Sequence, residues 1–421
     1  MNNCQSNPIC GPPRRGPFVY LLVLLVVLAL TPGLLAQWVE FEDQTAERSD
    51  AAEELFANDP EEKDYAWGDL DNDGDLDLAI ARKQPFTTPG KRVNVLMMNQ
   101  GGVLTDRTAD FAVDTDIPGD QGFLTPTNDR DVTMVDVNQD GWLDVITSTA
   151  VPEAGDPKHI AYPRVYINKC CAVGGCDAES CSTDDWLGLR FEDARMPLML
   201  TDNGQPGSNP SFCAVSAGDV TGDGYPDLYF SDYSGFLGDF NDKLLINQGL
   251  ENPGFFEDMT ETNFIGACGD GAPCTQNDTC QVGVCTGTDD FPVTLFGAAS
   301  GIAKFNQDEH NDIVREQSNE VRIAYNMPTN LGTFDKDSSP DVGSTYFINF
   351  GDLNNDVKLD LTETEDGFDR FLLNQGDDGN GMADFISYSY SYSHSGTGGP
   401  SSDSGFGGNN TVADLNNDGH Q

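Results

Sequence analysis

The chain has 421 residues, with 22 Lys plus Arg against 70 Asp plus Glu, a formal net charge of −48. No run of Lys and Arg interrupts that acidity, which excludes a basic groove that tracks nucleic-acid phosphates. Four His, none close to another, leave little material for imidazole catalysis or zinc.

At the amino terminus, residues 1–17 carry Arg14 and Arg15 and no acid. An apolar run from Phe18 to Leu30 follows, broken by Thr31-Pro32-Gly33 before Leu34-Leu35-Ala36. The unbroken run is shorter than the about 20 residues that span a bilayer, and Ala36 suits cleavage. Residues 1–36 therefore read as a secretory signal peptide, with an uncleaved anchor as the alternative. The mature chain is expected to be secreted, at the cell surface or in the periplasm, without a membrane span. Cysteine usage agrees with an oxidising compartment: Cys170, Cys171, Cys176 and Cys181 form one cluster, and Cys268, Cys274, Cys280 and Cys285 another. With no His in either, disulfide-stapled insertions near 169–186 and 266–288 are the reading, their connectivity open. Cys213, in a strand-like run, is expected to be a buried thiol.

From there on a nine-residue pattern recurs: Asp, x, Asp or Asn, x, Asp, Gly, x, x, Asp. It stands at Asp69 (DLDNDGDLD), Asp136 (DVNQDGWLD) and Asp219 (DVTGDGYPD), and in altered form at Lys304 (KFNQDEHND) and Asp352 (DLNNDVKLD). A sixth copy begins at Asp414 and the sequence stops before its ninth position. A short lead-in such as Tyr65-Ala66-Trp67-Gly68 precedes each loop, and an apolar run such as Leu78-Ala79-Ile80 or Leu228-Tyr229-Phe230 follows. A further strand then ends in Asn (VNVLMMNQGG at 93–102, RVYIN at 164–168, KLLINQG at 243–249, VRIAYN at 321–326, RFLLNQG at 370–376). A last marker closes each unit: LTDRT at 104–108, FEDA at 191–194, FEDMT at 256–260, FD at 334–335 and DF at 384–385. The order strand, acidic loop, strand, strand, turn, strand predicts an all-β fold of four-stranded propeller blades over 37–421. Six to seven blades are expected in the full protein, with this sequence cut inside one. Residues 38–45 (WVEFEDQT) match the last strand of a unit and are expected to close the ring.

These loops, with the NQG turns and F-x-D strands, make the sequence resemble the FG-GAP and VCBS repeat proteins, whose fold is the β-propeller of the integrin α-subunit head. Only traces of the naming elements survive, such as Phe296-Gly297-Ala298 and Phe406-Gly407-Gly408, which places the resemblance with the bacterial, exported branch. It implies a cell-surface or secreted interaction role.

The loops have the chemistry for calcium. That ion takes six to eight hard oxygen ligands, and a loop with carboxylates at alternate positions, a backbone carbonyl at the seventh and a Gly at the sharp turn can wrap one. The side-chain ligands would be Asp69, Asp71, Asp73 and Asp77; Asp136, Asn138, Asp140 and Asp144; and Asp219, Thr221, Asp223 and Asp227. Backbone carbonyls would come from Asp75, Trp142 and Tyr225. In the fifth copy Asp352, Asn354, Asp356 and Asp360 are in place, but Val357 takes the Gly position, where a β-branched residue opposes a left-handed turn. In the fourth, Lys304 replaces the first acid and Glu309 the Gly, so an ammonium is expected where an ion would sit. The sixth offers Asp414, Asn416 and Asp418. The residues three beyond the ninth position are mostly not acidic, and the flanks are strand-like, which excludes an EF-hand.

The function expected is a non-enzymatic, calcium-stiffened adhesion or interaction module for an unknown extracellular protein or glycan. Its alternatives are a calcium-dependent propeller polysaccharide lyase and the propeller part of a longer surface enzyme. His159, His310, His394 and His420 form no acid–base constellation, and no catalytic residue is assigned. Tyr388, Tyr390 and Tyr392 read as an exposed strand.

Overall fold

The structure is a computed structural model that describes residues 42–51, 55, 58–59, 63–85, 87–170, 186–199, 210–233, 242–264, 279–281, 284–286, 297–317, 320–341, 345–365, 369–389, 410–414 and 419. The expected signal peptide lies outside them. The chain divides into a small unit, which holds Glu42, Asp414 and Gly419 of the described residues, and a main unit, Asp43–Ala413.

Among the described residues the main unit is all-β, with helix only as single turns. Five four-stranded antiparallel sheets follow one another, each with its strands in chain order. Sheet 1 is β1 (Lys63–Gly68), β2 (Asp77–Arg82), β3 (Val95–Asn99) and β4 (Leu104–Asp106). A short β5 (Asp114–Thr115) adds in parallel to the edge of sheet 2, which is β6 (Asp129–Val135), β7 (Asp144–Thr149), β8 (Arg164–Cys170) and β9 (Trp186–Phe191). Sheet 3 is β10 (Phe212–Gly218), β11 (Asp227–Asp232), β12 (Lys243–Gln248) and β13 (Asn252–Asp258). The hairpin β14 (Thr279–Gln281) and β15 (Val284–Thr286) stands apart and puts Cys280 and Cys285 in register. Sheet 4 is β16 (Ser300–Ala303), β17 (Asp312–Gln317), β18 (Glu320–Asn326) and β19 (Phe334–Asp341). Sheet 5 is β20 (Thr345–Gly351), β21 (Asp360–Glu365), β22 (Arg370–Asp377) and β23 (Ala383–Ser389). Of the first Cys cluster only Cys170 is described; Cys213, in β10, is buried.

Register explains why each of the five acidic loops of the main unit is a hairpin tip. The residue before the repeat pairs with its ninth: Gly68 with Asp77, Val135 with Asp144, Gly218 with Asp227, Ala303 with Asp312 and Gly351 with Asp360. The second strands β7 and β11 are buried at every residue, as expected of strands covered on both faces.

First strands pack in succession, β1 on β6, β6 on β10, β10 on β16 and β16 on β20. Small residues permit the approach: a methyl on Gly218 would lie 2.6 Å from Cγ2 of Ile302, and one on Gly301 2.5 Å from Cε1 of Phe350. Each joint between successive sheets has its own apolar core, and the second residue of the preceding sheet's loop enters it: Leu70, Val137, Val220 and Phe305 in turn. Arg130 of sheet 2 ties sheets 3 and 5 and the lead-in to sheet 4 together. From β6 its guanidinium donates to the carbonyls of Cys213 (3.0 Å) and Ala298 (3.2 Å) and lies 5.8 Å from the ring of Phe347 in β20.

Of the segment expected to close the ring, only its last four residues, 42–45, are among the described residues. Trp38–Phe41 lie outside the described residues, and Thr45–Arg48 form a helical turn. The same turn follows β4 (Thr108–Phe111) and β13 (Thr260–Asn263), so D-x-T marks a strand end with a helical exit. Ser49 then bridges to Leu104, and Asp50 donates to the carbonyl of Leu104 at 3.0 Å, which lays this segment along β4.

Candidate metal centre

Each loop is shaped by its own side chains. The first acid accepts backbone N–H groups from the turn: Asp69 from Asp73 (3.0 Å) and Gly74 (2.9 Å), Asp136 from Asp140 (3.1 Å) and Gly141 (2.8 Å), Asp352 from Asp356 (3.0 Å) and Val357 (2.8 Å). Asp219 takes Gly222 (2.6 Å) and Gly224 (2.8 Å), and in the small unit Asp414 takes Gly419 at 2.7 Å. The fifth residue accepts the N–H of the seventh in all five loops of the main unit, through Asp73, Asp140, Asp223, Asp308 and Asp356. Those seventh residues include Asp75, Trp142 and Tyr225, the expected carbonyl donors. Asn416 and Asp418 lie outside the described residues.

Two tight reversals make this possible. The fourth position has positive φ in Asn72, Gln139, Gly222, Gln307 and Asn355, and the sixth in Gly74, Gly141, Gly224 and Val357. Val357 therefore takes the left-handed turn (φ 68°) despite its β-branch, with its side chain in solvent. Hydrogen bonding of Asp352 to its N–H offsets the strain.

In the first loop an oxygen of Asp69, one of Asp71 and one of Asp77 lie within 4.8 Å of one another, the one such acidic group among the described residues. Burial and the charges of Asp73 and Asp69 raise the pKa of Asp71. Asn138, Thr221 and Asn354 place a neutral oxygen at the corresponding point of the second, third and fifth loops. The donor set, hard oxygens with converging negative charge, fits a hard divalent cation. At the fourth loop, the ammonium of Lys304 does not occupy the loop centre. It pairs with Glu309 (3.3 Å) at the surface. In the fifth, Lys358 pairs with Asp356 and lowers its pKa.

The ninth acid has a second set of partners that sequence reasoning missed. Asp77, Asp144, Asp227, Asp312 and Asp360 are each fully buried, at 0% exposure. One oxygen accepts the N–H of the loop's second residue at 2.9–3.0 Å: Leu70, Val137, Val220, Phe305 and Leu353. The other accepts the N–H of the Asn in the third strand at 2.8–2.9 Å: Asn99, Asn168, Asn247, Asn326 and Asn374. Burial pushes Asp77, Asp227 and Asp312 up to about 7 and Asp144 well above the carboxylate range, against the pull of these donors.

Away from the loops, Asp64 of β1 and Asp131 of β6 form a hydrogen-bonded carboxyl pair, and burial and the Asp64 charge raise Asp131 well above its usual value. His159 sits on the helical turn Lys158–Ala161 and His310 in the fourth loop; His394, His420, Tyr390 and Tyr392 lie outside the described residues. Tyr388 is exposed and stacks on Phe371 at 5.1 Å. Among the described residues no helix is long and apolar enough to cross a membrane.

No protein-family model matches the chain, and no curated protein matches it. Among solved structures it is similar to an Agrocybe aegerita lectin described for specific recognition of non-reducing terminal N-acetylglucosamine, at 15% identity and TM-score 0.41, over 78% of this chain and 66% of that one. It is also similar to rhamnogalacturonan lyase YesW, at 13% identity and TM-score 0.34, over 77% of this chain and 50% of that one. The chain thus spans less than two thirds of either, and likenesses this distant carry no functional argument.

Proposed function

We propose that this is an exported β-propeller of the FG-GAP/VCBS kind, whose loops hold calcium and whose role is to present surface loops to an extracellular protein or glycan without catalysis. The observation that carries the reading is the repeated hairpin tip, with one geometry in successive sheets and, in the first, three acidic oxygens converging within 4.8 Å. Two unit charges at that distance repel by about 3.5 kcal/mol at an effective dielectric near 20, so a divalent cation would relieve a real cost.

The residues that would hold the ion are Asp69, Asp71, Asp73 and Asp77; Asp136, Asn138, Asp140 and Asp144; and Asp219, Thr221, Asp223 and Asp227. Carbonyls of Asp75, Trp142 and Tyr225 would complete these cages. Asp352, Asn354, Asp356 and Asp360 form a weaker set because Lys358 already neutralises one acid, and Asp414, Asn416 and Asp418 begin a sixth. Calcium would supply charge neutralisation and rigidity. A site of Kd about 10⁻⁴ M in 1 mM calcium adds about 1.4 kcal/mol to stability.

The propeller reading is supported by the succession of first strands and by Arg130, which reaches sheets 3 and 5 and the lead-in to sheet 4. It also accounts for Trp67. Met134, Ile302 and Phe350, at its position in later sheets, pack against Gly68, Gly218 and Gly301 of the preceding sheet, whereas Trp67 is 54% exposed. A further repeat unit would cover it. Export with removal of residues 1–36 and disulfide stapling of the insertions belong to the same proposal.

Thermal melting with and without chelator, paired with binding to immobilised glycans and extracellular matrix proteins, tests it. A calcium-dependent melting temperature with calcium-dependent binding and no turnover is expected. Cleavage of a polysaccharide would overturn the non-enzymatic role, and a melting curve indifferent to chelator would overturn the calcium.

A further inference from the structure

We infer that, in sheets 2–5, the ninth Asp of the loop and the Asn near the end of the third strand form a metal-independent lock that stitches each of these sheets to the one before it. The inference does not rest on the calcium reading.

The geometry is the same at each joint. The Asp fixes the Asn backbone, and the Asn side chain then donates twice. One N–H goes to the eighth residue of its own loop: Leu143 (3.0 Å), Pro226 (3.0 Å), Asn311 (2.9 Å) and Leu359 (3.1 Å). The other crosses to the preceding sheet. Asn168 donates to the carbonyl of Leu70 (2.7 Å), Asn247 to Val137 (2.7 Å), Asn326 to Val220 (2.7 Å) and Asn374 to Phe305 (2.8 Å). Each accepting residue is the second of its loop, the one held by its own ninth Asp and buried in the joint's core. The chain of bonds therefore runs Asp, Asn, neighbouring loop, Asp without leaving the interior.

The amide oxygen closes the third-to-fourth-strand turn over the same point. Asn247 accepts from Gly249 (3.1 Å) and Gly254 (3.0 Å), Asn326 from Gly332 (2.9 Å) and Asn374 from Gly376 (2.8 Å). Asn168 accepts instead from the indole of Trp186 at 2.6 Å. Both N–H donors and the oxygen of every one of these buried amides are thus used, and in Asn247 both oxygen lone pairs are.

The fourth loop separates the lock from any cation. There the first acid is Lys304 and the Gly is Glu309, yet Asp312 still holds Phe305 at 3.0 Å and Asn326 at 2.9 Å, and Asn326 still reaches Val220. The lock outlasts the loss of the features that suit a metal.

The test is amide hydrogen exchange on the unmodified mature chain, in calcium and in chelator, with bound calcium measured in the same samples. The N–H groups of Val137, Val220, Phe305, Asn168, Asn247 and Asn326 should keep their protection within roughly 10-fold when calcium is removed. Acceleration beyond that, or global loss of protection, overturns the lock. Absence of bound calcium would sink the calcium reading and leave the exchange pattern to decide this one. As a second arm, Asn326→Ala should raise exchange at Phe305 and Val220 by roughly 10-fold or more while sheet 1 is unchanged. Parent-like exchange in that variant overturns the inference, and if the variant fails to fold the chelator experiment still decides.

Discussion

Replacing Asp71 by Asn should change stability in opposite directions with and without calcium. Asp71 takes part in two of the three carboxylate pairs of the first loop, at separations up to 4.8 Å. A pair at that distance repels by about 0.9 kcal/mol in water and about 3.5 kcal/mol at an effective dielectric near 20. Since Asp71 is half-buried, even the aqueous limit gives about 2 kcal/mol for two pairs. Asn keeps an oxygen for the N–H of Asp73, now 3.2 Å from Asp71, so the charge is what the substitution removes. In chelator at pH 8 the variant should therefore melt roughly 2–3 °C above the parent. In millimolar calcium it should melt below the parent, because the cage loses one charged ligand. Scanning calorimetry of both proteins in both buffers reads the sign directly. A shift of the same sign in both, or none in either, would refute converging charge as the reason for a cation.

Other expectations follow from single positions. Val357→Gly removes a left-handed β-branched residue, which costs about 1–2 kcal/mol, and gives back part of that as chain entropy; a net gain of about 0.5–1 kcal/mol is expected in urea unfolding. Gly188 has φ +88°, and a methyl there would lie 2.2 Å from the carbonyl oxygen of Phe111, so Gly188→Ala should cost at least about 3 kcal/mol or prevent folding. Asp131 has its pKa raised by burial and by Asp64, so the stability this proton contributes is complete below about pH 4 and is lost as pH rises through the raised value. Asp131→Asn keeps an acceptor for Val215 but does not titrate. Its melting temperature relative to the parent should climb between pH 4 and pH 9; a pH-independent difference contradicts the pair.

The hairpin framework was legible because its signals are local. A nine-residue acidic pattern between two apolar runs has one reading when the residue before it and the ninth must pair, and all five copies in the main unit fold that way. What the repeat could not tell was which partner a constant residue serves. The ninth Asp reads as a ligand by position, yet both its oxygens carry backbone N–H groups, one from a strand 14–24 residues away. The third-strand Asn reads as a turn marker, and its defining bond crosses to another sheet. Val357 shows the limit of a propensity argument, since the neighbouring loop geometry overrides it. Arg130, whose partners come from two other sheets and the lead-in to a third, and the parallel β5 leave no periodic trace in the sequence.

Calcium stoichiometry of the purified mature chain, by equilibrium dialysis at 1 mM calcium with elemental analysis, bears most directly on the loops. At least three ions per chain are expected, from the loops at 69–77, 136–144 and 219–227, with Asp73→Ala and Asp140→Ala each removing one. Less than one ion per chain, or a stoichiometry that neither substitution changes, would contradict the assignment of these hairpin tips as cation cages.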